Sequence, residues 1–315
     1  MRLAVLAEPK RFEISDEPAP EVGPGQVLLR VAACGVCASE LDIYTGLSGH
    51  ATYPWYPGHE VSGTVERVGG AVRTVAPGDP VAVWVTTRGF AEQVVADAEH
   101  CFPAGSASLE LALAEPLACA VNAVELSKVS LGDDVLIVGA GFMGHLVHKL
   151  IELRGPRQVI VADVRDDALK RVESLGATAT VNVAKASLPE AVKDLTAGAG
   201  ADVTFEVTGS QAALSIIGSC TRMSGTLVIA GYHQGPSRTI PMGEWNWMAF
   251  RIANAHFRDM PTILRGMEAA ARLLASGRFS MEGLVTHRFP LEAIDEAFRT
   301  AIDKPDGFVK ATVIP

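Results

Sequence analysis

Val135-Leu136-Ile137-Val138-Gly139-Ala140-Gly141-Phe142-Met143-Gly144 is the stretch that decides the fold. Its first four residues are an apolar, partly β-branched run, as expected of a strand buried on both faces. The next six fit Gly-x-Gly-x-x-Gly, which 30 glycines in 315 residues will also produce by chance, so context must carry the reading. After the turn, Leu146, Val147, Leu150 and Ile151 recur at helical spacing, and Gly155-Pro156 stops the helix. A second apolar strand, Val159 to Ala162, ends in Asp163. That carboxylate falls about 20 residues past the last glycine, where it can bind both hydroxyls of a ribose. Gly139, Gly141 and Gly144 let the backbone approach a pyrophosphate, whose charge sits at the N-terminus of the helix that Phe142 and Met143 open. The bland alternative is an ordinary strand-turn-helix with an acid at a strand end.

Asp163 also bears on which dinucleotide is bound. A carboxylate there repels a 2′-phosphate, which favours NAD over NADP. Arg165 is the counter-signal, since a guanidinium two residues on could serve a phosphate; its plainer reading is a solvated charge or a stacking surface for adenine.

Strand and helix then alternate. Strands are expected near 180–182, 202–206, 226–230 and 251–255, with helices over 166–174, 188–195 and 211–222. This rhythm predicts a doubly wound parallel α/β sheet. The stretch from Gly235 to Trp247 is irregular, carries two prolines and is the weak link. Residues 1 to about 115 read as an all-β, barrel-like unit of short runs (27–32, 61–68, 81–85, 91–95) between Gly/Pro/Asp turns. The tail after about 258 shows one helix, 262–275, and a strand-like end, 308–313, too little for its own core. It is expected to return to the first unit, giving residues 1–122 with 258–315 as one domain and 123–257 as the other.

Cys34-Gly35-Val36-Cys37 admits three readings. A thioredoxin-like redox pair is disfavoured because no helix start is evident behind a first strand. A four-cysteine structural zinc site lacks its second pair, since Cys101, Cys119 and Cys220 stand alone. The third uses Cys37 with His59 and Glu115, a mixed donor set that suits zinc with an open fourth position. Spacing alone leaves this last reading open beside plain surface or core roles for the same residues.

The motifs taken together resemble the medium-chain zinc-dependent alcohol dehydrogenases. They are 34–40 (CGVCASE), 58–60 (GHE), 78–79 (GD), 89–92 (GFAE), 115–117 (EPL), the glycine turn, 200–203 (GADV), 206–209 (EVTG) and 285–291 (VTHRFPL), and they span the chain in order. Glutamate instead of cysteine as third ligand resembles the polyol branch, with sorbitol and threonine dehydrogenase relatives. The resemblance implies a Rossmann domain plus a GroES-like β-barrel catalytic domain, and oxidation of a secondary alcohol with NAD. It implies one catalytic Zn²⁺ on Cys37, His59 and Glu115, with Glu115 bound directly or through water and Glu60 a supporting or alternate ligand. Ser39 is then the hydroxyl that takes the substrate proton, and Thr208 joins the cofactor site. A homodimer or homotetramer joined through the sheet domain is implied as well. Several positions depart from the pattern. Only residues 84–88 fill the gap where relatives often carry four clustered cysteines, so no structural zinc is expected. Asp42 and Asn122 stand where histidines are common, and Glu40 replaces an aspartate.

A metal is needed on energetic grounds. Water-like acidity has a pKa of about 15.7, and zinc brings bound water to about 7. That gap is worth roughly 12 kcal/mol, which a serine hydroxyl alone does not supply. For the substrate, Tyr44, His50, Trp55, Trp84 and Phe90, with Cys119 near the metal, offer aromatic faces beside polar groups. Such a lining suits a polyol, sugar or cyclitol, although plain core packing is the competing reading for each tryptophan.

A net charge of −9 argues against nucleic acid and anionic membranes. No leader-like segment or apolar run of membrane length is expected from Met1-Arg2-Leu3-Ala4 onward. Five cysteines without a paired framework suit a reducing cytoplasm. Two rival readings stand: a zinc-free NADPH-dependent enone or quinone reductase on the same fold, and a non-catalytic dinucleotide-binding protein.

Overall fold

The computed structural model describes residues 1–48, 51–233 and 235–315. Two compact units are present, Met1–Ala118 with Asp259–Pro315, and Cys119–Arg258.

The first unit begins with an antiparallel hairpin, β1 (Arg2–Glu8) and β2 (Arg11–Asp16). It continues through β3 (Gln26–Gly35), α1 (Ala38–Tyr44), β4 (Glu60–Val68), β5 (Pro80–Trp84), β6 (Gln93–Asp97) and β7 (Cys101–Pro103). Helix α2 (Ala114–Ser127) carries the chain onward. The second unit runs β8 (Asp134–Val138), α3 (Phe142–Glu152), β9 (Gln158–Asp163), α4 (Asp166–Ser174), β10 (Ala179–Asn182), α5 (Leu188–Leu195), β11 (Ala201–Glu206), α6 (Gln211–Cys220), β12 (Thr221–Ile229), α7 (Met242–Trp247) and β13 (Arg251–Asn254). The chain ends with α8 (Met260–Ala275), β14 (Val285–Pro290), α9 (Ile294–Asp303) and β15 (Lys310–Ile314).

In the second unit the strands lie in the order β10-β9-β8-β11-β12-β13, and every pairing is parallel. The chain winds outward from β8 in both directions, so the switch point lies between β8 and β11. An open α/β sheet binds its ligand there, outside the carboxyl ends of the strands. All five residues of β8 are buried, which is why its sequence reads as a continuous apolar run. Helix α6 starts at Ser210, whose hydroxyl accepts from Ala213 N at 3.2 Å. It ends two residues short of the expected Arg222. Thr221 Oγ1 donates to Ile217 O (2.7 Å) and meets Thr204 Oγ1 on β11 (2.6 Å), which draws residue 221 out of the helix and into β12.

The first unit holds a sheet in the order β14-β15-β3-β4-β5-β7, with β6 also on β3. Its core is aromatic: Phe12, Tyr44, Phe90 and Phe298 meet with ring centroids 4.9–5.7 Å apart. The tail holds more than expected, since β14 and α9 accompany α8 and β15. Ile294, Ala297, Phe298 and Ala301 of α9 are buried in this core, at the spacing of one helical face. Strand β6 begins at Gln93 rather than Ala91, because Ala91 bridges Leu3 of β1 instead.

Two histidines of α3, His145 and His148, are fully buried. His145 Nδ1 donates to Gly141 O at 2.8 Å. Neither ring nitrogen of His148 has a hydrogen-bond partner, and the nearest carboxylate oxygen, on Glu152, is 3.6 Å away. Burial, then the neighbouring His145, then Lys149, lower the His148 pKa to about 4. A depressed folded-state value gives stability that is complete above the unfolded pKa of about 6.5 and drains away as pH falls toward 4. The full loss is about 3 kcal/mol. His148→Leu is expected to flatten the acid limb of a urea-denaturation series between pH 6.5 and 4; an unchanged limb would show that His148 does not set it.

Candidate metal and dinucleotide sites

Strand β3 delivers the chain to Cys37, which caps the N-terminus of α1. The loop before β4 delivers His59, and Glu60 is the first residue of β4. Ligand atoms of Cys37, His59 and Glu60 all lie within 4.8 Å of one another, the one such group of three among the described residues. Ser39 Oγ donates to Cys37 Sγ at 3.2 Å. Gly58 makes this approach possible: its φ is +104°, and a Cβ there would fall 2.5 Å from Phe90 N.

Glu40, only 1% exposed, ties the two loops together. Its Oε1 accepts from Gly58 N (2.8 Å) and meets His59 Nδ1 (3.1 Å), while Oε2 accepts from Cys37 N (3.2 Å). With Nδ1 engaged by a carboxylate, Nε2 is the ring atom left for a metal, and an outer carboxylate of this kind orients a ligating histidine. Burial alone would lower the His59 pKa, but Glu40 and Cys37 raise it well above its ordinary value. Lys310 on β15, itself buried, places Nζ 2.7 Å from each oxygen of Glu60 and donates to Val36 O at 2.8 Å. Burial opposes the ammonium, yet Glu60, Cys37 and Glu115 together raise the Lys310 pKa above the usual value. Beyond that ion pair, the buried Glu60 Oε2 has no hydrogen-bond partner. A carboxylate beside a thiol and an imidazole, with ligand atoms converging, is a donor set that fits zinc.

In the second unit the glycine turn joins β8 to α3. Gly139 has φ +119°, and a Cβ on it would fall 2.8 Å from Thr208 Cγ2. A Cβ on Gly144 would collide with the carbonyl oxygen of Gly139. Asp163 ends β9, with Oδ2 accepting from Ala140 N (2.7 Å) and Oδ1 from Arg165 N (2.9 Å), so the acid is tied to the turn itself. Arg165 is paired with Asp167 at 2.5 Å.

Residues 23–109 match the family model of the alcohol dehydrogenase GroES-like domain, and residues 143–266 that of the zinc-binding dehydrogenases. Sorbitol dehydrogenase of Rattus norvegicus is 30% identical over 94% of this chain and 91% of its own length. The chain belongs to the zinc-dependent medium-chain alcohol dehydrogenases, in their polyol branch. Solved structures of members agree with the fold. A zinc-binding dehydrogenase from Sinorhizobium meliloti, bound to NADP, superposes with a TM-score of 0.87 at 26% identity, covering 100% of this chain and 99% of that one. 2R,3R-butanediol dehydrogenase from Bacillus subtilis gives the same TM-score, identity and coverage.

As a member of this family, the chain carries a GroES-like first unit and a dinucleotide-type parallel sheet. Two residues expected to line the substrate cleft sit in the core instead. Tyr44 and Phe90 are 1% exposed and belong to the aromatic core; Tyr44 Oη donates to Asp295 Oδ1 at 3.2 Å, so neither lines a cleft. Trp55 packs half-buried against that core, and Trp84 meets His100 edge-on at 5.2 Å. Cys119 is half-buried on α2. His50 lies outside the described residues. Glu115 stands in the first turn of α2 and does not join the group of three, although it acts on Lys310. The redox pair is excluded for a different reason than expected. A helix does follow Cys37 directly, but Cys34 is fully buried, and that burial, with Glu40 and Glu60 adding to it, holds its thiol well above the usual pKa.

Proposed function

We propose that this dehydrogenase oxidises a secondary alcohol of a polyol, sugar or cyclitol to the ketone, with NAD⁺ becoming NADH and a proton released. The convergence of Cys37, His59 and Glu60, with Ser39 Oγ 3.2 Å from the thiol, is the observation that carries the reading. Cys37 and His59 would hold one zinc ion together with a carboxylate from Glu60, or from Glu115 directly or through water. When bound, zinc supplies Lewis acidity toward the substrate oxygen and the dinucleotide supplies a hydride acceptor. Ser39 Oγ takes the hydroxyl proton. Glu40 fixes the imidazole of His59, and Lys310 holds the Glu60 carboxylate in place. Gly139, Gly141, Phe142, Met143, Gly144 and Thr208 would form the pyrophosphate cradle, with Asp163 on the ribose and Arg165 beside it. The Asp163 carboxylate supports NAD over NADP, and the pairing of Arg165 with Asp167 weakens the counter-signal. A homodimer or homotetramer in a reducing cytoplasm completes the proposal. Among the described residues no helix is long and apolar enough to cross a membrane.

A panel of polyols, cyclitols and sugars, followed by nicotinamide absorbance with and without chelator, tests it. At least one polyol is expected to be oxidised, with NAD⁺ preferred to NADP⁺ by about tenfold or more, a difference of roughly 1.4 kcal/mol. Chelation is expected to stop the reaction. Chelator-resistant reduction of an enone by NADPH, with no polyol oxidised, would instead establish the zinc-free alternative.

A further inference from the structure

Beyond the glycine turn and Asp163, the carboxyl ends of β11, β12 and β13 are stitched together by a second set of side chains. Glu206 ends β11 and is 0% exposed. Its Oε1 accepts from Thr208 N (2.7 Å), Thr208 Oγ1 (2.5 Å) and Gly209 N (2.9 Å). Its Oε2 lies 2.7 Å from His233 Nε2. On the other side of that ring, Arg238 Nε donates to His233 Nδ1 at 3.3 Å, and an Arg238 terminal nitrogen donates to Gly209 O at 3.3 Å. Because a guanidinium only donates, Nδ1 is the acceptor and Nε2 carries the proton toward Glu206. His256, two residues past β13, reaches back to Gly231 O at 3.0 Å. The loop after β11 is thereby braced against the loop after β12, and β13 backs both.

The position of this brace gives it a role. With the switch point between β8 and β11, a dinucleotide spans the crevice: one half follows the glycine turn toward β9 and Asp163, and the other runs over the ends of β11 and β12. Thr208, held by Glu206, packs close enough to the turn that a Cβ on Gly139 would fall 2.8 Å from Thr208 Cγ2, so the brace begins where the pyrophosphate would lie. We propose that His233 is a positioning residue for the nicotinamide half of the dinucleotide, holding itself and Arg238 against Glu206 and Gly209. This rests on the dinucleotide reading given above and adds to it the residue that orders the redox-active half.

Binding of NAD⁺ and of ADP-ribose, which lacks the nicotinamide, to the full-length protein separates this role from a general structural one. His233→Ala is expected to weaken NAD⁺ by about tenfold or more while ADP-ribose changes by less than about twofold. His233→Gln, which can still donate to Glu206, is expected to keep NAD⁺ within about threefold. Should His233→Ala not fold, Arg238→Met removes the donor to Nδ1 together with the bond to Gly209 O, leaves the His233–Glu206 contact in place, and is expected to show the same selective loss. Unchanged NAD⁺ affinity, an equal loss for both ligands, or a glutamine variant as damaged as the alanine variant would each overturn the proposal. Wild-type protein that binds ADP-ribose but fails these comparisons leaves the dinucleotide reading standing; wild-type protein that binds neither ligand removes both.

Discussion

Cys37→Ser and His59→Ala are expected to lower polyol turnover by more than about a thousandfold, over roughly 4 kcal/mol of barrier, and to abolish stoichiometric zinc. Each removes one donor from a group whose ligand atoms converge within 4.8 Å, and two remaining donors rarely retain a catalytic metal. The serine variant is the sharper test. It keeps the size of the side chain and its place at the N-cap of α1, so the fold around it is preserved and only the soft thiolate is lost. NAD⁺ affinity should stay within about twofold, because every residue assigned to the cradle belongs to the other unit. Metal content, turnover and NAD⁺ binding on the same preparations decide the matter. Turnover that survives without zinc, or NAD⁺ binding that is lost while turnover persists, would defeat the assignment.

What could be read from the sequence follows from the range of the interactions involved. The β8-turn-β9 segment is local: a strand buried on both faces, a glycine turn and a helix with its own stop signal all announce themselves within about 30 residues. Helix α9 was equally local. Ile294, Ala297, Phe298 and Ala301 recur at helical spacing, yet the charged residues between them hid a face that only the barrel core explains. Tyr44 shows the opposite limit. An aromatic residue one turn beyond Ser39 reads as a cleft wall, and only the long-range partners Phe12, Phe298 and Asp295 reveal it as core. In the metal site Cys37 and His59 were legible as residue types in a known order. The bond from Glu40 to both of their loops was not, although a glutamate three residues after a helix N-cap is a local capping signal. Lys310 gave the fainter hint of a lone cation inside an apolar strand. Its partner is 250 residues away in the chain, so no local pattern could name it.

That ion pair carries the second large expectation. Lys310→Met is expected to destabilise the chelated protein by about 3–5 kcal/mol, the usual cost of removing one partner from a buried pair. The lysine and Glu60 are 5% and 1% exposed, so neither charge has water to fall back on. A methionine fills much the same volume but leaves the Glu60 carboxylate with no cation beside it and Val36 O without its donor. Pairing the change with Glu60→Gln removes the uncompensated charge, and the double variant should recover much of the loss even though it lacks both members of the pair. Urea denaturation of the two single variants and the double variant, each with chelator present, supplies the cycle. A Lys310→Met protein as stable as wild type, or a double variant worse than the sum of its parts, would mean that the ammonium does not stabilise Glu60. The outcome also bears on the metal site, because the carboxylate that the buried lysine meets at 2.7 Å belongs to the same group as Cys37 and His59.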